Sequence, residues 1–223
     1  VPARAGYRKL DLNAPLETHG VPVVALAGTC MEAGKTAAAC QMVSRMRHRG
    51  LTVDVFKATG VSLRRDILAM EDAGARNSMI FTDLGIITTT RAVGPALTRT
   101  MITDISAKKP DVIVFELGDG ILGTYGVDSI LECDDIRKAL TGVVLSANDP
   151  VAAWGGVKLL RERFGIEPCA VTGPATDNAV GVEIIRDQMK VPAYNALSDG
   201  AALGDCVISA IGLDAKFPVA AAN

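Results

Sequence analysis

Gly28-Thr29-Cys30-Met31-Glu32-Ala33-Gly34-Lys35-Thr36 is the stretch that decides how this chain is read. It follows an apolar run over residues 21–27 that suits a buried strand, and it opens a helix-length stretch over 35–49 closed by Gly50. Strand, glycine-rich loop and helix in that order form the setting of a phosphate-binding loop (P-loop). The glycines let backbone N–H groups turn inward around phosphate oxygens, and the helix start adds partial positive charge. Lys35 is placed to reach the β and γ phosphates, and Thr36 to ligate Mg²⁺. The expected nucleotide contacts are Gly28, Thr29, Glu32, Ala33, Gly34, Lys35, Thr36 and Ala37. Five residues separate Gly28 from Gly34, one more than the strict Walker pattern allows. The competing reading is an ordinary Gly-rich strand-to-helix turn.

Outward from the loop, short apolar runs alternate with helix-length segments. The pattern predicts further strands over 51–57, 78–82, 111–117, 142–147, 168–172 and 191–194. Helices are expected over 62–73, 90–107, 130–140, 151–164, 178–189 and 199–211. Such βαβ units close into an α/β fold, a three-layer parallel sheet with helices on both faces, with ligands at the carboxyl ends of the strands. The expected organisation is an arm over 1–20, one nucleotide-binding domain over 21–215 and a tail over 216–223.

Composition fits that architecture. The chain has 223 residues, 49% of them hydrophobic and only 4% aromatic, so the core is expected to be aliphatic, as in buried parallel sheets. A net charge of −2 gives no basic excess for a nucleic-acid backbone. No run reaches the roughly 18 apolar residues of a membrane span, and no secretory h-region opens the chain, which points to the cytoplasm. The five cysteines are scattered, without a CxxC pair, which argues against a disulfide framework or a zinc knot.

Further chemistry is expected at other strand ends. Glu116 closes an apolar run, where a charge is expensive unless paired or bound to a cation. It is read as a Mg²⁺ ligand with Thr36, as a cap of the next turn, or as a partner of Arg64 or Arg65. Lys57 ends a strand, as a charge-neutralising group beside phosphates or as a snorkelling lysine. Asp119, within Gly118-Asp119-Gly120, is read as a base for the acceptor substrate or as a turn residue. Asn148 and Thr172 follow the strands over 142–147 and 168–172, where a base would dock; with Asp149 and Asn178 they read equally well as turn and cap residues. None forms an NKxD motif, so ATP is the default nucleotide.

The loop of form GTxxxxGKT resembles that of the dethiobiotin synthetase and cobyrinic/cobyric acid synthetase group of P-loop proteins. Val55-Phe56-Lys57-Ala58 is similar to the strand end of that group, and Glu116-Leu117-Gly118-Asp119-Gly120 to its acidic Gly-rich segment, with departures at Leu117 and Asp119. The resemblance implies Asp66 as a third Mg²⁺ ligand, where the residue-level alternative is an exposed acid in a helix first turn. It also implies a contact of Lys57 with the γ-phosphate or an acceptor carboxylate. The implied activity is ATP- and Mg²⁺-dependent activation of a small carboxylate, ligase-like, in a homodimer. A nucleotide-dependent switch is the alternative, although Thr29, Cys30, Met31 and Glu32 supply no early signature lysine. Ala58-Thr59-Gly60 carries a weaker resemblance to D-glutamate N-acetyltransferase-like proteins. That likeness implies a CoA-dependent acyltransferase and a further N-terminal domain before Val1.

Overall fold

Val23–Gly28 (β1) is buried at every position, and such a strand needs a neighbour on each edge. It lies parallel between Val112–Glu116 (β4) and Leu140–Ser146 (β5) in a computed structural model that describes residues 10–214. Val53–Lys57 (β2) pairs with β4, Asn77–Ile80 (β3) with β2, and Ala170–Thr172 (β6) with β5. The sheet therefore has the order β3-β2-β4-β1-β5-β6, all parallel, as the alternating pattern predicts.

Helices cover both faces. Lys35–His48 (α1) packs on one face beside Arg64–Asp72 (α2) and the last helix, Gly200–Ala210. Gly94–Ser106 (α3), Val127–Glu132 (α4), Asp134–Ala139 (α5) and Pro150–Phe164 (α6) cover the other. Ala179–Ile184 is α7, which makes Gly200–Ala210 α8. The core between the layers is largely aliphatic; its buried aromatics are the four phenylalanines Phe56, Phe81, Phe115 and Phe164, of which Phe56 and Phe115 stack with centroids 4.5 Å apart. All five cysteines are free. No helix among the described residues is long and apolar enough to cross a membrane.

The structure differs from the sequence pattern in three places. The helix expected over 130–140 is two helices meeting at an extended Cys133; Arg137 donates to the Leu131 and Glu132 carbonyls, closing α4 while α5 begins on two acidic residues. The strand expected over 191–194 shrinks to one bridge between Val171 and Ala193. Lys190 adopts a left-handed φ of 58° before it, and Pro192 has no N–H to donate. The helix expected over 178–189 is α-helical only as α7; Ile185–Met189 winds as a π-helix. Of the expected arm, residues 10–20 form no helix or strand, and Ser106 Oγ donates to the Glu17 carbonyl at 2.8 Å. Residues 1–9 of the arm and the whole tail over 216–223 lie outside the described residues.

Candidate functional site

β1 delivers the chain to the loop, and Thr29 N donates to the Ser146 carbonyl at 3.0 Å, which ties the loop to β5. Glu32 and Gly34 have φ of 58° and 89°, so the backbone turns through left-handed space before α1 starts. No side chain caps this helix start, and its first N–H groups are left for an anion. The buried Lys35 folds back along the loop, and its Nζ donates to the Cys30 carbonyl at 2.8 Å. A Cβ on Gly28 would lie 2.8 Å from Lys35 Cδ and Nζ and would push the lysine off this path. Burial lowers the Lys35 pKa, while the Glu116 carboxylate opposes that shift.

Lys57 and Glu116 are register partners at the ends of β2 and β4, and both point to the α1 side of the sheet. Glu116 is 3% exposed and accepts a 2.9 Å hydrogen bond from Thr36 Oγ1. Its pKa is raised by burial, against the pull of Lys57, the Thr36 hydroxyl and Lys35. Lys57 forms a buried ion pair with Asp66, in the first turn of α2. The loop after β4 closes against its neighbours: Thr59 Oγ1 donates to the Gly118 carbonyl, and Ile121 N donates to the Gly28 carbonyl. A Cβ on Gly118 would overlap the Thr59 carbonyl oxygen, and one on Gly120 would come within 2.6 Å of the Thr29 carbonyl oxygen. Between them Asp119 holds a φ of 70°, half-exposed. These loops enclose a cavity of about 350 Å³.

No family model and no curated protein matches the chain. Solved structures do. The signal recognition particle receptor FtsY from Elizabethkingia anophelis in complex with GDP superposes with a TM-score of 0.57 at 16% identity, over 86% of this chain and 65% of that one. Hydrogenase maturation factor HypB from Archaeoglobus fulgidus gives 0.60 at 12% identity, over 86% and 91%. A DUF1611 family protein from Anabaena variabilis gives 0.60 at 16% identity, over 91% of this chain and 61% of that one. The fold is that of the P-loop NTPases. At these identities the likeness speaks to the fold alone, and the chain spans less than two thirds of the FtsY and DUF1611 chains.

On this P-loop NTPase frame the sequence-predicted positions separate into groups. Glu32, Gly34, Lys35, Thr36, Ala37, Lys57, Asp66, Glu116 and Asp119 all line the one cavity. Gly28, Thr29 and Ala33 stand behind it as the loop's wall, with Ala33 fully buried. Neither Asn148 nor Thr172 reaches it: Asn148 is exposed, and the Thr172 side chain is fully buried with an unpartnered hydroxyl. Asp149 and Asn178 cap α6 and α7, accepting from Ala152 N at 2.8 Å and from Gly181 N at 2.9 Å. Arg64 turns to Asp83 at 3.5 Å, whereas Arg65 stands on the cavity rim with 85% of its side chain exposed.

Sequence reasoning did not single out Val61, Leu63 and Tyr125, which form the far wall. Their signal lay in glycines: Gly60, at φ 114°, bends the chain after β2, and Gly126, at φ 90°, sits so close to Thr90 that a Cβ would strike its carbonyl. The P-loop donor set fits Mg²⁺. Among the described residues no three His, Cys, Asp or Glu side chains cluster, so no all-protein cage exists. Instead Thr36, Glu116 and Asp66 offer a hydroxyl and two carboxylates, hard oxygens suited to an ion that keeps waters and phosphate oxygens as its other ligands.

Proposed function

We propose that this P-loop protein is an ATP- and Mg²⁺-dependent enzyme that activates a small carboxylate by phosphoryl transfer, in the manner of a ligase. The observation that carries the reading is the meeting, in one cavity, of a phosphate loop with a second buried lysine and, beyond the loop, the acidic side chains of Asp66, Glu116 and Asp119. The N–H groups of the loop and the start of α1 hold the β and γ phosphates, and Lys35 exchanges the Cys30 carbonyl for a phosphate oxygen. Thr36, Asp66 and Glu116 would hold a Mg²⁺ ion, which would supply charge neutralisation to the phosphates. Lys57 offsets charge on the transferred group, and Asp119 is placed as the base that takes the proton of the nucleophile displacing phosphate from the activated carboxylate. Gly60, Val61, Leu63 and Tyr125 shape the acceptor side and limit water there. Asn148, after β5, and Thr172, at the end of β6, are the candidates for the base side at the carboxyl edge of the sheet. Catalysis is then positioning and electrostatics, with no covalent step on the protein.

ATP turnover with and without a panel of small carboxylates tests this. The expected result is stimulation by at least one acid and a loss of about 100-fold or more in Lys35→Ala. Unaltered nucleotide binding and turnover in Lys35→Ala would overturn it. Nucleotide-dependent dimerisation in a sizing experiment, with no acceptor-stimulated turnover, would favour a switch. Competition between acetyl-CoA and ATP for the loop would favour an acyltransferase.

A further inference from the structure

Each group assigned to the metal already has a protein partner. Thr36 and Glu116 are bonded to each other at 2.9 Å, an arrangement that one cation can bridge without leaving either group unpaired. Asp66 differs, because its partner is a cation. Lys57 and Asp66 pair with side chains only 7% and 12% exposed, and the second Asp66 oxygen has only the exposed Arg65 guanidinium at 3.8 Å. A metal drawing on Asp66 therefore competes with Lys57 for the same carboxylate.

We infer that the Lys57–Asp66 pair is a latch that makes metal binding and nucleotide binding depend on each other. Taken alone, a divalent cation would draw on both carboxylates that neutralise Lys57, Asp66 directly and Glu116 beside it, and hold a buried ammonium close to a doubly charged ion, an arrangement with a desolvation and repulsion cost. A phosphate oxygen arriving in the same cavity gives Lys57 a new acceptor. Asp66 is thus released to the metal only when Lys57 is taken up by phosphate, and the coupling works in both directions. Lys35 has no such role, since its Nζ is bonded to a neutral carbonyl and not to a carboxylate. Lys57 is in this sense a positioning residue for the metal as well as a contact for the transferred group. The inference rests on the nucleotide and metal reading above.

The test measures Mn²⁺ binding without nucleotide by electron paramagnetic resonance, and nucleotide binding by calorimetry using the β,γ-imido analogue of ATP. Lys57→Gln is expected to tighten nucleotide-free Mn²⁺ binding on the order of tenfold, Lys57→Arg and Lys35→Gln to change it little, and Lys57→Gln/Asp66→Asn to abolish the gain. Lys57→Gln is also expected to weaken analogue binding more with Mg²⁺ than in EDTA, because only the metal frees Lys57 for phosphate. Should Lys57→Gln fail to fold, Asp66→Asn carries the test: releasing Lys57, it should tighten analogue binding in EDTA and remove the further tightening that Mg²⁺ gives the wild type. A wild type that binds the analogue with Mg²⁺ while Lys57→Gln gains no Mn²⁺ affinity sinks the latch alone. A wild type that binds no nucleotide sinks the underlying reading as well, and an equal gain in Lys35→Gln reduces the effect to general charge removal.

Discussion

The two halves of the sheet treat their polar strand ends in opposite ways. On the β2–β4 side, Lys57, Asp66, Glu116 and Thr36 turn toward a shared cavity and satisfy one another. On the β5–β6 side, Asp149 and Asn178 are used up as helix caps, while Ser146 and Thr172 bury their hydroxyls without partners. The first side keeps ionic groups whose partners a ligand can exchange. The second spends its polar groups on the backbone. A charge at a buried strand end has few inexpensive fates, so it marks a site; an Asx residue after a strand always has a local hydrogen bond available, and marks little.

The largest effect should come from breaking the close packing of the first side. Gly118→Ala pushes a Cβ into the Thr59 carbonyl, backbone against backbone, so no flexible side chain can yield. We expect a loss of roughly 3 kcal/mol in denaturant unfolding. The counterpart is Gly155→Ala in α6, where nothing lies within 4 Å of the new methyl and the helix gains a better former. That substitution should stabilise by about 0.5–1 kcal/mol. Equal destabilisation by both would mean that the loops after β2 and β4 are not held together as described.

Next comes pH dependence. Glu116 has a folded pKa raised above its ordinary 4.5, so between 4.5 and that raised value the folded state holds a proton that the unfolded state has lost. Its contribution to stability is then fully present below 4.5 and disappears as pH rises through the folded pKa. Lys35 runs the other way: its lowered pKa leaves the folded state with fewer bound protons at pH values below 10.5, so its share of stability grows as pH climbs toward that value. Glu116→Gln should therefore stabilise the ligand-free protein at pH 7 and flatten its stability profile above pH 4.5. An unchanged profile would show that the carboxylate is not held in a desolvated setting. Both shifts have burial as their first cause, so the charged forms of Glu116 and Lys35 are desolvated in this cavity.

The two halves also differ in how far the sequence discloses them. The parallel sheet follows from connection rules once the alternation is seen, and Lys57 and Glu116 converge as register partners at the ends of neighbouring strands, with Asp66 brought to them by the first turn of α2. Tyr125 and Leu63 were not legible, since they reach the cavity through loops whose course depends on glycines packed against distant backbone. Arg137 breaks the helix expected over 130–140 by capping from within it, a contact that periodicity does not encode. The strand expected over 191–194 has the right composition, but Pro192 and a left-handed Lys190 leave it too few donors to pair.

The smallest effects belong to the β5–β6 side, and they sharpen the contrast. Asp149→Ala removes the cap on Ala152 N and should cost about 1 kcal/mol. Thr172→Val is nearly isosteric and deletes a fully buried hydroxyl that has no hydrogen-bond partner. Because an unpaired buried donor carries its desolvation cost without return, this substitution should be neutral or stabilising, by less than about 1 kcal/mol. Unfolding and nucleotide affinity measured on the same variant separate two uses of that hydroxyl. A small stability gain with unchanged affinity means that the β6 end serves only as scaffold under the loop. Weakened nucleotide binding with no gain in stability means that the hydroxyl, though buried here, turns to the ligand, and that the exchange of partners inferred for Lys57 extends across β1 to the other half of the sheet.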